Sequence, residues 1–70
     1  MERTIVSSSN IDSIGYDENS KVLEIEFKNG GVYQYANVPK EIFAALMKAS
    51  SHGGFFHAKI KDRFPTIKVK

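Results

Sequence analysis

The sequence predicts an α+β fold: a three-stranded antiparallel β-meander followed by two short α-helices packed on one sheet face. Three observations carry this expectation. Leu23, Ile25 and Phe27 alternate with Glu24 and Glu26, the period-two pattern of a half-buried antiparallel strand. Asn29-Gly30-Gly31 follows directly, and Asn and Gly tolerate the positive φ that tight hairpin turns demand. Beyond Pro39 the period changes, and Ile42, Phe43, Leu46 and Met47 form one apolar stripe at helical spacing.

The elements follow in order. Ser7-Ser8-Ser9-Asn10 reads as a polar turn that caps nearby backbone and anchors the first strand. Ile11 to Tyr16 is the first strand, with Ile14 and Tyr16 on one face and Ser13 and Gly15 on the other. Asp17-Glu18-Asn19-Ser20 is a loop, Val22 to Phe27 the second strand, and Val32 to Ala36 the third. Pro39 suits the first helical turn, where its missing N–H costs nothing. Glu41 then favours the positive end of the first helix and Lys48 the negative end. Ser50 to Gly54 breaks the pattern. A second helix is expected from about Gly54 to Arg63, with Phe56, Ile60 and Phe64 on one face and Pro65 as its limit. Residues 66–70 read as a basic tail. The chain reads as one domain over residues 1–70, ordered from about residue 5 to 65. Its expected core is Ile14, Leu23, Ile25, Phe27, Ile42, Phe43, Leu46, Phe56 and Ile60, joined at the sheet edge by Tyr16, Tyr33 and Tyr35.

Composition narrows the function classes. Seventy residues with 41% hydrophobic content and eight aromatic side chains make a small globular domain. There is no cysteine, which removes disulfides and thiolate metal sites and fits a cytoplasmic location. The N-terminal segment is too short and polar for a signal peptide, and no apolar run approaches the roughly 18 residues of a membrane span. Net charge is +2 but lopsided. Residues 1–38 carry three basic and six acidic side chains, net −3, and residues 39–70 carry seven and two, net +5. Attraction to an anionic partner therefore belongs to the C-terminal half, through Lys59, Lys61, Arg63, Lys68 and Lys70. On a helix reaching Arg63, Lys59 and Arg63 would share one face.

Tyr33 and Tyr35 lie on one face of the third strand. A three-residue hairpin loop puts them with Ile25 and Phe27, packed under the helices. A two- or four-residue loop puts them with Glu24 and Glu26 as an open platform for stacking bases. Packing is the preferred reading: carboxylates beside an open platform would repel phosphates, and neither register gives a good RNA-binding sheet, because recognition needs cation-rich surroundings. His52 and His57 are the only histidines, and without cysteine they do not make a zinc site. No nucleophile, base and oxyanion site converge in the sequence, so no enzymatic activity and no cofactor are expected.

Val6, Ser8-Ser9, Ile11, Ile14-Gly15-Tyr16-Asp17, Leu23, Ile25, Phe27, Gly30, Tyr33-Gln34-Tyr35 and Val38-Pro39 together resemble the KTSC domain. Ser51, Gly53, Phe55-Phe56, Ile60 and Phe64-Pro65 extend the likeness over nearly the whole chain. That family takes its name from the C-terminus of some lysyl-tRNA synthetases and also occurs as short stand-alone proteins in bacteria and phages. Its hallmark is a central Tyr-x-Tyr, here Tyr33-Gln34-Tyr35. Phe64 departs from the family, where tyrosine is common before the proline. The family's context suggests RNA or tRNA as a ligand; with the +5 charge of the C-terminal half, the expected function is a small non-enzymatic binding module that contacts RNA through its basic C-terminal segment. The resemblance also implies structural roles for Tyr16, Tyr33, Tyr35 and Phe56. The alternative is a protein–protein adaptor or self-associating module, using the edge of the first strand or exposed aromatics such as Phe55.

Overall fold

The computed structural model describes residues 1–70. Its elements are β1 (Arg3–Ile5), β2 (Ile11–Asp17), β3 (Val22–Phe27), β4 (Val32–Tyr35), α1 (Lys40–Lys48), α2 (His52–Lys59) and β5 (Thr66–Lys68). The strands form one antiparallel sheet in the order β1-β2-β3-β4-β5, with both helices packed on one face. The expectation of three strands is therefore corrected to five.

The two additional strands lie at the sheet edges. Each has three residues, all exposed, so neither has a buried face to leave a period-two signal. Backbone pairing holds them instead. Arg3 lies opposite Gly15 in β2, and Lys68 lies opposite Tyr33 in β4. Val32 binds the last residues on both its backbone groups, donating to Lys70 O (3.1 Å) and accepting from Val69 N (2.7 Å). The segment read as a basic tail thus begins as a paired strand.

The β3–β4 hairpin settles the orientation of the tyrosines. Its loop is Lys28-Asn29-Gly30, three residues long, closed by Phe27 N donating to Gly31 O (2.8 Å) and Gly30 N to Phe27 O (2.9 Å). Gly30 takes φ +96°, a conformation glycine adopts at no steric cost. The resulting register sets Ile25 opposite Tyr33 and Leu23 opposite Tyr35. Both tyrosines face the helices.

Strand β2 departs from simple alternation. An irregularity between Ile11 and Ser13 lets both Ile11 and Ile14 point into the core. Ser8 Oγ accepts from the N–H groups of Asn10 and Ile11 (3.3 Å each), the capping turn that starts this strand.

The helices also differ from their expected limits. Pro39 is the N-cap of α1 rather than a residue of its first turn. Ser51 caps α2, its Oγ accepting from Gly54 N at 3.0 Å, so the helix starts at His52. It ends at Lys59, four residues before the expected end. The N–H groups of Ile60 and Lys61 both donate to Phe56 O, and Asp62 turns left-handed at φ +62°. The Phe56–Ile60–Phe64 spacing suggested a longer helix because Ile60 remains fully buried after the helix has stopped.

The core comprises Ile11, Ile14, Leu23, Ile25, Tyr35, Val38, Leu46, Phe56 and Ile60. Phe27, Ile42, Phe43, Tyr16 and Tyr33 pack around it, half-buried. Ile11 and Val38 are core residues that the sequence pattern missed. Phe55, expected to be exposed, is half-buried against the core.

Candidate nucleic-acid interface

The register that buries Tyr35 also builds a cleft. Tyr33 lies between Ile25 on one side and Lys68 on the other, while Tyr35 lies between Leu23 and Thr66. Helix α2 brings Phe56 across them. Phe56 meets Tyr35 edge to face (centroids 5.5 Å, planes 71° apart) and Phe27 likewise (5.4 Å, 68°). Phe27 meets Tyr33 in the same way (5.7 Å, 77°). Between α2 and the hairpin remains a cleft of about 400 Å³, lined by these rings together with Asn29, His57 and Lys61. Past Phe27 and His57 it runs into a second hollow of about 510 Å³ beside Asn10, Lys28 and Gly53. There the backbone of α2 approaches closely, since a Cβ on Gly53 would sit 3.3 Å from Asn10 Nδ2. At the other end Lys68 and Lys70 border a shallower hollow shared with Asn29 and Tyr33.

The charges along this trough are one-sided. Lys28, Lys61, Lys68 and Lys70 line it, and Asp62 is its only acidic side chain. Tyr35 is 4% exposed; its hydroxyl bonds no protein group and, since no buried side-chain N or O atom lacks a partner, it is the part of the residue open to solvent. Burial, with smaller effects from Tyr33 and Asp62, pushes its pKa up to about 12, so at neutral pH it is a neutral donor.

The opposite sheet face is already engaged with itself. Arg3 reaches Glu24 (3.5 Å) and Glu26 (3.6 Å). Gln34 donates to Glu24 (2.8 Å), and Ser13 donates to Glu26 (3.3 Å). This acidic, internally paired surface offers nothing to a polyanion.

Residues 7–64 match the family model of the KTSC domain. The chain belongs to the KTSC domain family. It is 45% identical to a KTSC domain protein of Yersinia pestis whose crystal structure superposes with a TM-score of 0.96, covering 99% of this chain and 97% of that one. A protein of Stutzerimonas stutzeri is 41% identical over 63 residues, 90% of this chain and 89% of its own. A lysine–tRNA ligase of Trichormus variabilis is 39% identical over 49 residues, 70% of this chain but only 9% of the ligase. This KTSC domain therefore spans about a tenth of that enzyme.

The basic residues singled out in the sequence do not form one patch. Lys61, Lys68 and Lys70 come together along the trough. Lys59 and Arg63 do not share a helix face, because α2 ends between them; Arg63 turns back to donate from Nε to Ala58 O at 3.1 Å. Tyr16 lies away from the trough, stacked on Phe43 and donating its hydroxyl to Val38 O. His52 Nδ1 lies 2.8 Å from Leu46 O and ties α2 to α1, whereas His57 is exposed at the trough. No group of three or more His, Cys, Asp or Glu side chains is placed to hold a metal ion, and no helix is long and apolar enough to cross a membrane. Sequence reasoning missed Lys28, Asn29 and Phe27 as lining residues. The signal was the hairpin loop itself, since a three-residue loop sets its side chains beside the Tyr-x-Tyr strand.

Proposed function

We propose that this KTSC domain is a non-catalytic RNA-binding module that takes the phosphate backbone on Lys61, Lys68 and Lys70, with Lys59 and Arg63 as outlying cations. The observation that supports this reading is the pairing of β5 with β4, which sets Lys68 directly opposite Tyr33. The basic C-terminal segment and the Tyr-x-Tyr strand, distant in sequence, thereby border one trough. A tRNA is the RNA best motivated, because three relatives are lysine–tRNA ligases. With so few cations the interaction is weak and salt-sensitive, each neutralised phosphate adding roughly 0.7–0.9 to the log–log salt slope. The test is an NMR titration of labelled protein with bulk tRNA at low and then moderate salt. Shifts at Lys61, Lys68 and Lys70 that fade with salt are expected, and silence at both salts rules the reading out.

A second reading rests on the open edge of β1, where Ile5 is 83% exposed. Another copy of this chain would add a strand there. Light scattering is expected to show a concentration-dependent dimer that Ile5→Lys abolishes. A monomer at every concentration removes this reading.

A further inference from the structure

We propose that the cleft between α2 and the β3–β4 hairpin holds one unpaired nucleobase, so that the domain selects single-stranded over duplex RNA. This rests on the RNA reading above and adds to it a site for the base. Four features of the cleft lead to it.

The first is ring geometry. Phe27, Tyr33, Tyr35 and Phe56 meet only edge to face, at 68–77°. By contrast, Tyr16 and Phe43 stack at 4.8 Å and 10°, each covering the other's face. Tyr35 and Phe56 are closed over by the core, at 4% and 6% exposed, whereas Phe27 and Tyr33 stay half-buried at the cleft wall. A flat ligand can therefore stack there, as bases do on aromatic platforms. The second is size. A cleft of about 400 Å³ falls within the range of sites that enclose small ligands, roughly 300–1,000 Å³.

The third is hydrogen bonding. The Tyr35 hydroxyl bonds no protein group and is open to solvent in the cleft, where a ligand acceptor can replace water. Asn29 Oδ1 is occupied by Gly31 N (2.9 Å), which leaves the Asn29 amide N–H groups to donate. Two donors beside an apolar wall fit a ring bearing carbonyl oxygens better than an alkyl side chain of a protein partner. Asp62 offers an acceptor to a ring N–H or exocyclic amine. The fourth is the position of the cations. Lys61 lies in the cleft wall, and Lys68 and Lys70 lie at the adjoining hollow that shares Tyr33 and Asn29, so phosphates flanking the inserted base meet lysines. A base stacked and paired within a duplex cannot enter. A duplex presents only phosphates and groove edges to this surface.

The test is a titration of labelled protein with a uridine hexanucleotide, an RNA duplex of equal length, and inorganic polyphosphate, each at low and moderate salt. The hexanucleotide is expected to bind more tightly than the duplex and to shift Phe27, Tyr33, Tyr35 and Phe56. Nuclear Overhauser contacts from uracil H5 and H6 to the Tyr33 ring are expected in the wild-type protein, a readout that needs no variant. Tyr33→Leu, with its fold checked by spectral dispersion, should weaken the hexanucleotide about tenfold or more at an unchanged salt slope. Its affinity for polyphosphate should not change. Lys68→Ala should instead lower the salt slope for both ligands by about one. Lysine shifts without aromatic shifts, or equal binding of hexanucleotide and polyphosphate, would overturn the base site and leave the phosphate reading standing. No response to any of the three polyanions would overturn both.

Discussion

Tyr16 and Tyr35 occupy the same row of the inner sheet face, on either side of Leu23. In both, burial is the main cause that raises the hydroxyl pKa. Their surroundings nevertheless differ in kind. Tyr16 stacks on Phe43 and donates to Val38 O, so both its ring and its hydroxyl are committed within the protein. The acidic side chains Glu18 and Glu41 border that side. Tyr35 meets Phe56 edge to face with its ring buried, while its hydroxyl bonds no protein group and faces a cleft that Lys61 and Asp62 also line. One tyrosine closes the fold where the first strands meet α1. The other buries its ring but leaves its hydroxyl to solvent where α2 crosses the hairpin, beside the half-buried ring of Tyr33. The same residue type in the same sheet row thus closes the fold at one end and borders an open cleft at the other.

Leu46 is fully buried in the core that both sides share. Leu46→Ala should cost about 2–5 kcal/mol and lower the melting temperature regardless of which side is intact. In so small a domain that is a large share of the total stability.

Folding holds the Tyr35 proton up to about pH 12, whereas the unfolded chain releases it near the ordinary value of 10.0. Between those values the folded state binds more protons, so stability is fully present below pH 10 and falls as pH rises toward 12. The loss is on the order of 2 kcal/mol. Tyr16 contributes in the same direction. Urea unfolding at pH 8 and pH 11 should show the decline, and Tyr35→Phe should make it shallower.

The smallest effects separate the hydroxyls. Tyr16→Phe takes a donor from Val38 O and should cost about 1 kcal/mol. Tyr33→Phe removes a hydroxyl that no protein group uses, and should change stability by less than about 0.5 kcal/mol. Equal losses in the two variants would erase the distinction between the closed and open sides.

How much of this was legible in the sequence varies by element. The alternation of Leu23, Ile25 and Phe27 marks β3, and the stripe from Ile42 to Met47 marks α1, because a face buried along its whole length imposes its period on the side chains. The C-terminal end of α2 was misread because Ile60 keeps helical spacing while the backbone has already turned at Asp62. The lysines of the candidate interface were legible as charge, but their grouping was not. Lys59 and Arg63 looked adjacent and are not, while Lys28 and Lys61 are distant in sequence and line connected parts of one trough.

By itself the sequence determined the alternating strand, the hairpin turn, the first amphipathic helix, the separation of charge between the two halves, and the kinship with KTSC domains. These are properties of neighbouring residues or of motif order. Tertiary structure alone decided that the sheet has five strands, that the hairpin loop has three residues, and that Tyr33 meets Lys68. The edge strands bury no side chain, and their backbone groups pair only once β2 and β4 are in place to receive them. A hairpin register depends on which loop length lets the strands on both sides bury their apolar face together. No local pattern records either condition.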